Sequence, residues 1–279
     1  MTASPTIGQE IDTGTPELLC SLRDRVAIIT FNRPDARNAL SDQLTPALRR
    51  MIRRMGDDPA VGALLLTGTG TAFCAGGDVK GMGDRASGAE LSQADKVARL
   101  RERQRTLTGA LVGVRKPTIA ALPGAAAGAG LAIALACDLR IAAESAFLAT
   151  GYARIALTGD YGISWLLTRL AGPARARELM FFGERIDARR GEALGLINRV
   201  VPDAELQAAA LAWAARLAAG PTEAFAGIKD NLDHALTADF LSSLDHEADN
   251  MVAAAGTMAH REAVRTFVEK RPPDFSRTS

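Results

Sequence analysis

Short apolar runs recur along the first two thirds of the chain, and each is followed by residues with helical spacing. The runs begin at Val61, Thr118 and Leu139. A strand that is buried on both faces has a nearly continuous apolar sequence, and helices connect such strands when they are parallel. The pattern therefore predicts an α/β core with crossover helices.

The chain before this core has the pattern of a β-hairpin. Two β-rich runs, 18–22 and 26–31, are joined through Arg23-Asp24-Arg25. A short polar connection between such runs indicates antiparallel pairing. The preceding residues 1–15 are polar and lack the apolar segment of a signal peptide, so we expect a flexible tail there.

Two amphipathic helices are also predicted. The first begins after Ser41, a plausible N-cap, and carries an apolar stripe beside four arginines that we interpret as a solvated face. The stripe is Leu44, Leu48, Met51, Ile52 and Met55, and the arginines are Arg49, Arg50, Arg53 and Arg54. The second is a long helix that ends before Pro117, with apolar positions Leu100, Leu107, Leu111 and Val114.

Two glycine-rich segments follow apolar strands, one over 72–82 and one over 122–138. The second reads as a strand end, a turn at Pro123-Gly124 and a buried helix whose first turn is almost wholly Gly and Ala. Such a turn lets another molecule approach backbone N–H groups that have no partner inside the helix, where a developing negative charge would be stabilised. Small residues also allow a helix simply to pack tightly on a sheet.

Composition narrows the class of protein. A formal charge of +1 over 279 residues argues against a nucleic-acid surface. Three distant cysteines suggest neither a disulfide framework nor a zinc site, and the three histidines lack metal-ligand spacing. The glycines and Pro123 interrupt the apolar stretch 117–137, so a membrane span is rejected. We expect a cytoplasmic protein without a metal.

The ordered set of motifs resembles the crotonase family, the enoyl-CoA hydratases and isomerases. The set covers nearly the whole chain, and the order makes it specific although each motif alone is weak. The matching segments are 32–40, 73–80, 123–142, 183–188, 193–202 and 263–275. The resemblance implies an α/β fold built as a spiral of ββα units, with a C-terminal helical region.

From the resemblance and a shift to helical composition after Pro202, we expect three parts. These are a tail over 1–15, a ββα core with a CoA-thioester site over 16–201, and a helical trimerisation region over 202–279. The resemblance implies a homotrimer or a dimer of trimers. It also implies an acyl-CoA partner and no separate cofactor, because coenzyme A enters as part of the substrate.

In this family two backbone N–H groups stabilise the negative charge that collects on the thioester oxygen. Motif against motif, these donors correspond to Gly77 and Ala129. The same resemblance assigns the CoA contacts to Ala36, Arg37, Ala75, Gly76, Asp78, Val79, Lys229 and Phe267. Lys229 can belong to the neighbouring subunit in such trimers. Asp78 and Asp138 read as structural acids.

The acid–base residues depart from the pattern of the hydratases that use two glutamates, because the matching positions are Ala132 and Tyr152. An unperturbed tyrosine, with a pKa of about 10, is a poor base at neutral pH, although its hydroxyl could orient substrate or water. Asp160 matches a position where other branches keep a catalytic aspartate. It also reads as opening a helix, where an aspartate is most often an N-cap.

Three functions remain open at this stage. The first is an acid–base enzyme that hydrates or moves a double bond in an unsaturated acyl-CoA, with Asp160 carrying protons. The second is an acyl-CoA-binding protein without catalysis, and the third is a CoA-independent carbon–carbon hydrolase. The acyl group is not predicted, and its pocket walls are guessed to include Tyr152, Tyr161, Trp165 and the loop 81–93.

Overall fold

The protein folds around two β-sheets that share the crossover helices. The structure is a computed structural model that describes residues 8–77 and 91–275. The strands are β1 (Gln9–Glu10), β2 (Leu18–Arg23), β3 (Val26–Phe31), β4 (Ala63–Gly68), β5 (Ala72–Cys74), β6 (Thr118–Leu122), β7 (Ala125–Ala127), β8 (Leu139–Ala143), β9 (Phe147–Ala149), β10 (Ile186–Asp187) and β11 (Arg199–Val201). The larger sheet has the order β1-β2-β3-β4-β6-β8-β11, and the smaller has the order β10-β9-β7-β5.

Helices separate and cover these strands. They are α1 (Leu44–Asp57), α2 (Gln93–Gln104), α3 (Ala110–Gly113), α4 (Ala129–Ala136), α5 (Ile163–Phe182), α6 (Ala188–Ala193), α7 (Leu206–Ala218), α8 (Thr222–Ala235), α9 (Phe240–Ala255) and α10 (Met258–Glu269). None of the helices in the described ranges is long and apolar enough to cross a membrane.

A strand–strand–helix unit repeats three times through the middle of the chain. The pairs β4-β5, β6-β7 and β8-β9 each place their first strand in the larger sheet and their second in the smaller one. Within each sheet the strands of successive units pair in parallel. The two sheets therefore advance together as a spiral, which confirms the predicted α/β class.

The N-terminal hairpin is confirmed, but the flexible tail is wrong for its described part. Strands β2 and β3 are antiparallel, and their turn residues Asp24 and Arg25 have φ of 48° and 63°, as a tight hairpin turn requires. Gln9 pairs with Leu22 in the same sheet. The buried hydroxyl of Thr13 donates to the carbonyl of Leu18 at 2.6 Å. Backbone pairing thus orders 8–15, while 1–7 lie outside the described residues.

Helix α1 has the predicted buried stripe, and Ser41 bonds its first turn, although the N-cap position itself is Gln43. All five stripe positions are buried. The hydroxyl of Ser41 accepts from the N–H of Leu44 at 2.9 Å, and the Ser41 carbonyl accepts from Thr45. These bonds satisfy donors that have no partner inside the helix.

The predicted long helix is interrupted. A π-helical turn over Arg105–Gly109 separates α2 from α3, and the extra residue of a π turn rotates the apolar face. Leu107 within this turn and Leu111 after it are buried, whereas Leu100 is 40% exposed on α2. Leu100 therefore does not share the buried face of Leu107 and Leu111, as a single regular helix would require.

The predicted domain boundary at 202 is also displaced. Helix α7 packs on β3, β4, β6 and β8, and its Leu206, Ala210, Ala214 and Ala218 belong to the core. By contrast, α8 and α9 contain no buried residue. The helical extension therefore begins after α7, because α7 is the layer that covers one face of the larger sheet.

Candidate active site

The two glycine-rich segments meet at one corner of the fold. Gly76 has φ of +93°, and a methyl group added to it would lie 2.8 Å from the carbonyl oxygen of Ala127 and 3.4 Å from the nitrogen of Ala129. A methyl group added to Gly130 would lie 2.2 Å from the carbonyl oxygen of Cys74. Only glycine allows these two segments to approach so closely.

This corner presents backbone N–H groups rather than side chains. Ala129 is the first residue of α4, so its N–H has no acceptor within the helix and lies at the positive end of the helix dipole. The segment ending at Gly77 is held by two backbone bonds, from Leu40 N–H to Gly76 O at 2.8 Å and from Ala75 N–H to Arg37 O at 3.0 Å.

Both parts of the corner open into a cavity of about 470 Å³. Its lining includes Gly77 and Ala129 on one side and side chains of several elements on the other. Those elements are α1, α2 and the segment before α5, and their lining residues include Thr45, Arg49, Leu100, Arg103, Tyr152, Arg154, Asp160 and Tyr161.

A tyrosine–aspartate pair lies in this second wall. The hydroxyl of Tyr152 donates to Oδ1 of Asp160 at 2.7 Å. The expectation that Asp160 opens a helix is wrong, because α5 begins at Ile163 and its N-cap position is Gly162, with no side-chain cap. Asp160 supports that helix only through its backbone carbonyl, which accepts from Ile163 at 3.1 Å. Its carboxylate is aimed at Tyr152 instead.

Burial shapes the ionisation of this pair. Burial raises the pKa of Asp160 above its ordinary value, and the hydrogen bond from Tyr152 works in the opposite direction. Burial and the neighbouring Asp160 charge raise the pKa of Tyr152 strongly. The aspartate is thus the more readily ionised group of the pair.

Two residues that sequence reasoning missed hold the next side chain, Tyr161. Its backbone N–H donates to Oε1 of Gln104 at 2.8 Å, at the point where the π turn begins. The guanidinium of Arg49 lies within electrostatic range of its hydroxyl. The sequence pattern predicts a solvated Arg49. In the structure it follows Thr45 by four residues and so shares the cavity-facing side of α1 with it.

The comparison with known proteins covers nearly the whole chain. The sequence profile described as Enoyl-CoA hydratase/isomerase matches residues 22–278. The chain belongs to the enoyl-CoA hydratase/isomerase family.

Members of this family with different names resemble the chain. A Rhodobacter capsulatus protein described as "Probable enoyl-CoA hydratase" is 38% identical, covering 91% of this chain and 96% of the relative. The 1,2-epoxyphenylacetyl-CoA isomerase of Escherichia coli is 34% identical, covering 93% and 98%. The crystal structure of an enoyl-CoA hydratase from Polaromonas sp. JS666 superimposes with a TM-score of 0.85 at 32% identity, covering 92% and 98%. The family and its crotonase-like fold are therefore shown.

The CoA contacts carried over from the family are placed in three ways. Ala36 and Arg37 form a tight turn, with Arg37 at φ of 49°, and this turn is bonded to Ala75. Ala75 and Gly76 line the cavity. Asp78 and Val79 lie outside the described residues.

The two predicted CoA contacts in the helical extension lie apart from this corner. The ammonium of Lys229 in α8 is 2.8 Å from Oδ2 of Asp138. The same oxygen accepts from the backbone and hydroxyl of Thr118, so Asp138 is a structural acid, as predicted. Phe267 in α10 is 85% exposed. In this chain Lys229 fastens α8 to the core.

Some of the residues predicted as pocket walls line the cavity, and others do not. Tyr152 and Tyr161 line the cavity. Trp165 is 45% exposed on α5, with the guanidinium of Arg169 3.9 Å from its ring centroid, and it is absent from the cavity lining. Residues 81–90 of the guessed loop lie outside the described residues.

Proposed function

We propose that the protein is an acid–base enzyme acting on unsaturated CoA thioesters. The N–H groups of Gly77 and Ala129 would bind the thioester oxygen and stabilise it as the enolate forms. Preorganised donors of this kind lower a barrier by roughly 3 kcal/mol each. The fixed approach of the two glycine-rich segments supports this role, because it leaves the donors little freedom to reorganise.

Asp160 is proposed as the proton carrier. The observation that carries this role is the Tyr152–Asp160 hydrogen bond inside the cavity, with the carboxylate free of any helix-capping duty. Tyr152 would orient and partly stabilise the carboxylate rather than act as a base, since the pKa of its hydroxyl is raised.

A single-carboxylate proton shuttle is favoured over addition of water by two carboxylates. Ala132 occupies the position of one family glutamate and is fully buried in α4. Besides Asp160, the other carboxylate in the described lining is Asp42. One carboxylate can remove a proton from the substrate and return it elsewhere, which moves a double bond.

The test is turnover of a panel of enoyl-CoA thioesters by wild type and Asp160→Asn, assayed for hydration and for double-bond migration. The substitution keeps the shape of the side chain and removes the titrating group, so turnover should fall roughly 100-fold or more. Free CoA should still bind and stabilise the variant, by about 2.7 kcal/mol at a hundredfold excess over Kd.

Other results would select another function. Normal turnover by folded Asp160→Asn contradicts the assigned role. Tight acyl-CoA binding without turnover by wild type indicates a binding protein, and absence of any CoA binding indicates a CoA-independent reaction.

We further propose that the helical extension assembles the protein into a homotrimer or a dimer of trimers. Helices α8 and α9 expose large apolar side chains, including Leu232 at 64%, Phe240 at 75% and Val252 at 74%. An apolar surface of this extent marks a protein interface. A monomer in light scattering at micromolar concentration would contradict the assembly. Lys229 and Phe267 stay predicted CoA contacts that this assembly could complete.

A further inference from the structure

The wall of the cavity that carries Asp160 is rich in cations. Arg49, Arg103 and Arg154 line it, against Asp42 and Asp160. The carboxylate of Asp160 already accepts the Tyr152 hydroxyl. Among the described lining residues, the arginines therefore outnumber the acids, in a cavity whose proposed substrate brings a neutral thioester to the reacting centre.

Arg49 lies on a helix that is packed firmly into the core. It is half-buried and projects from α1, a helix fixed to the core by Leu48, Ile52 and Met55, each with no exposed surface. Its guanidinium lies within electrostatic range of the hydroxyl of Tyr161, a side chain that is itself buried. The position of the charge is thus set by two well-packed elements.

Within the described residues, no ion pair neutralises the charge of Arg49. Over 8–77 and 91–275, no carboxylate lies within ion-pair distance of Arg49 or Arg103. The buried Nε–H of Arg49 also has no acceptor there. A partly desolvated cation is costly unless it is paired, so an anionic ligand group would be stabilised beside it.

We propose that the acyl group of the substrate ends in a carboxylate, bound by the guanidinium of Arg49 and the hydroxyl of Tyr161. The substrate class is then the mono-CoA thioester of an unsaturated dicarboxylic acid. This inference rests on the proposed function, since it assumes that the thioester lies at Gly77 and Ala129.

The adjacency of Tyr161 to Asp160 places this cation at the reacting end of the cavity rather than at the CoA phosphates. Tyr161 follows Asp160 in sequence, and its hydroxyl is within electrostatic range of that carboxylate and of Arg103. The hydroxyl of Tyr161 can donate its proton to a carboxylate. Arg49 and Tyr161 together offer the charge-assisted bonds that such a group prefers.

The experiment compares binding of two saturated thioesters of equal shape, glutaryl-CoA and 5-methylhexanoyl-CoA, which bears an isopropyl group in place of the carboxylate. Wild type should bind glutaryl-CoA about 10- to 100-fold more tightly, the range expected for hydrogen bonds to a charged group. Arg49→Met should remove this preference, and Arg49→Lys should keep part of it. Arg53→Met, an exposed arginine on the same helix and outside the cavity lining, is the matched control.

Turnover supplies a second readout. The ratio of kcat/KM for glutaconyl-CoA over 5-methylhex-2-enoyl-CoA should fall in Arg49→Met by the same factor as the binding preference. Melting temperatures and free-CoA affinity are measured for every variant, and Arg49→Lys maintains the test if Arg49→Met folds poorly.

The outcomes separate this inference from the function on which it rests. Equal binding of the two thioesters by wild type overturns the carboxylate site and leaves the proposed function standing. Equal weakening of both thioesters and of free CoA in Arg49→Met assigns Arg49 to the CoA moiety and also overturns it. If neither thioester nor free CoA binds to wild type, both proposals fail.

Discussion

The two ends of the cavity are built in opposite ways. At the glycine-rich corner the functional groups are backbone N–H donors, positioned by contacts such as that of Gly130 against Cys74, where no methyl group fits. At the opposite wall of the cavity, which we call the far wall, they are side chains from separate elements. These are Arg49 from α1, Gln104 from the end of α2, and the segment from Tyr152 to Tyr161.

Because of this difference, substitutions at the corner and at the far wall should have different kinds of effect. A substitution at the corner changes whether the backbone can reach its position, whatever the chemical nature of the new side chain. A substitution of similar shape at the far wall leaves the packing intact and changes protonation, charge or hydrogen bonding. Under the proposed function, the corner would fix where a thioester binds, and the far wall would determine what happens to the acyl group.

The largest effect is expected from Gly130→Ala. The added methyl group would meet the carbonyl oxygen of Cys74 at 2.2 Å, so β5 and α4 must separate. Overpacking of this kind costs about 1–3 kcal/mol, and more when the obstructing atom is backbone. We expect a large loss of folded protein and of melting temperature, measured by calorimetry.

Gly113→Ala is the matched control for that variant. An added methyl group at Gly113, at the end of α3, meets nothing within 4 Å. Alanine is also favoured over glycine in a helix by up to about 1 kcal/mol. Equal melting temperatures for Gly130→Ala and Gly113→Ala would show that the corner is looser than its geometry implies.

The second-largest effect is expected from removing one of the proposed backbone N–H donors. Ala129→Pro removes one N–H at the first position of α4, where proline is tolerated because that N–H has no helical acceptor. Turnover should fall roughly 100- to 1,000-fold. Met258→Pro makes the same change at the exposed first turn of α10 and should leave turnover unchanged. Retained turnover in Ala129→Pro would remove Ala129 from the proposed oxyanion site.

The sequence predicted the corner better than the far wall, for a physical reason. Gly76, Gly77 and Ala129 belong to local motifs whose backbone conformation depends on neighbouring residues, so their positions follow from short segments. The placement of Arg49 beside Tyr161 depends on how α1 packs against a segment more than a hundred residues away. No local pattern distinguishes such an arginine from the solvated Arg53 on the same helix.

The errors about helices have the same origin. The apolar spacing that places Leu100 on one face with Leu107 assumes a regular helix, and the π turn at Arg105–Gly109 changes the register between them. Aspartate is a residue type that often caps helices. Here the turn through Tyr161 and Gly162, both at positive φ, moves the start of the helix to Ile163. The carboxylate is thereby released from capping and can bond Tyr152.

A smaller effect is expected from Tyr152→Phe. The variant loses the hydrogen bond that holds back the pKa of Asp160, so that pKa should rise further. Turnover should fall less than about 10-fold, the cost of one hydrogen bond of roughly 0.5–1.5 kcal/mol. The acidic limb of the pH–rate profile should move to higher pH. A loss as large as that of Asp160→Asn would assign Tyr152 a direct role in proton transfer.

The smallest effect concerns stability and distinguishes a catalytic aspartate from a structural one. Burial raises the pKa of Asp160 in the folded protein, so the folded state keeps a proton that the unfolded chain loses near pH 4. The stability this group contributes is present below that pH and is lost as pH rises through the folded pKa.

Asp160→Asn does not titrate, and its oxygen can still accept from Tyr152. The variant should therefore match wild type in acid and exceed its melting temperature at neutral pH, by about 3 °C or less. Calorimetry across this pH range measures the difference. A lower melting temperature at neutral pH would mean that the charge of Asp160 stabilises the fold, as a capping residue would, and would weaken the contrast between a structural corner and a chemical far wall.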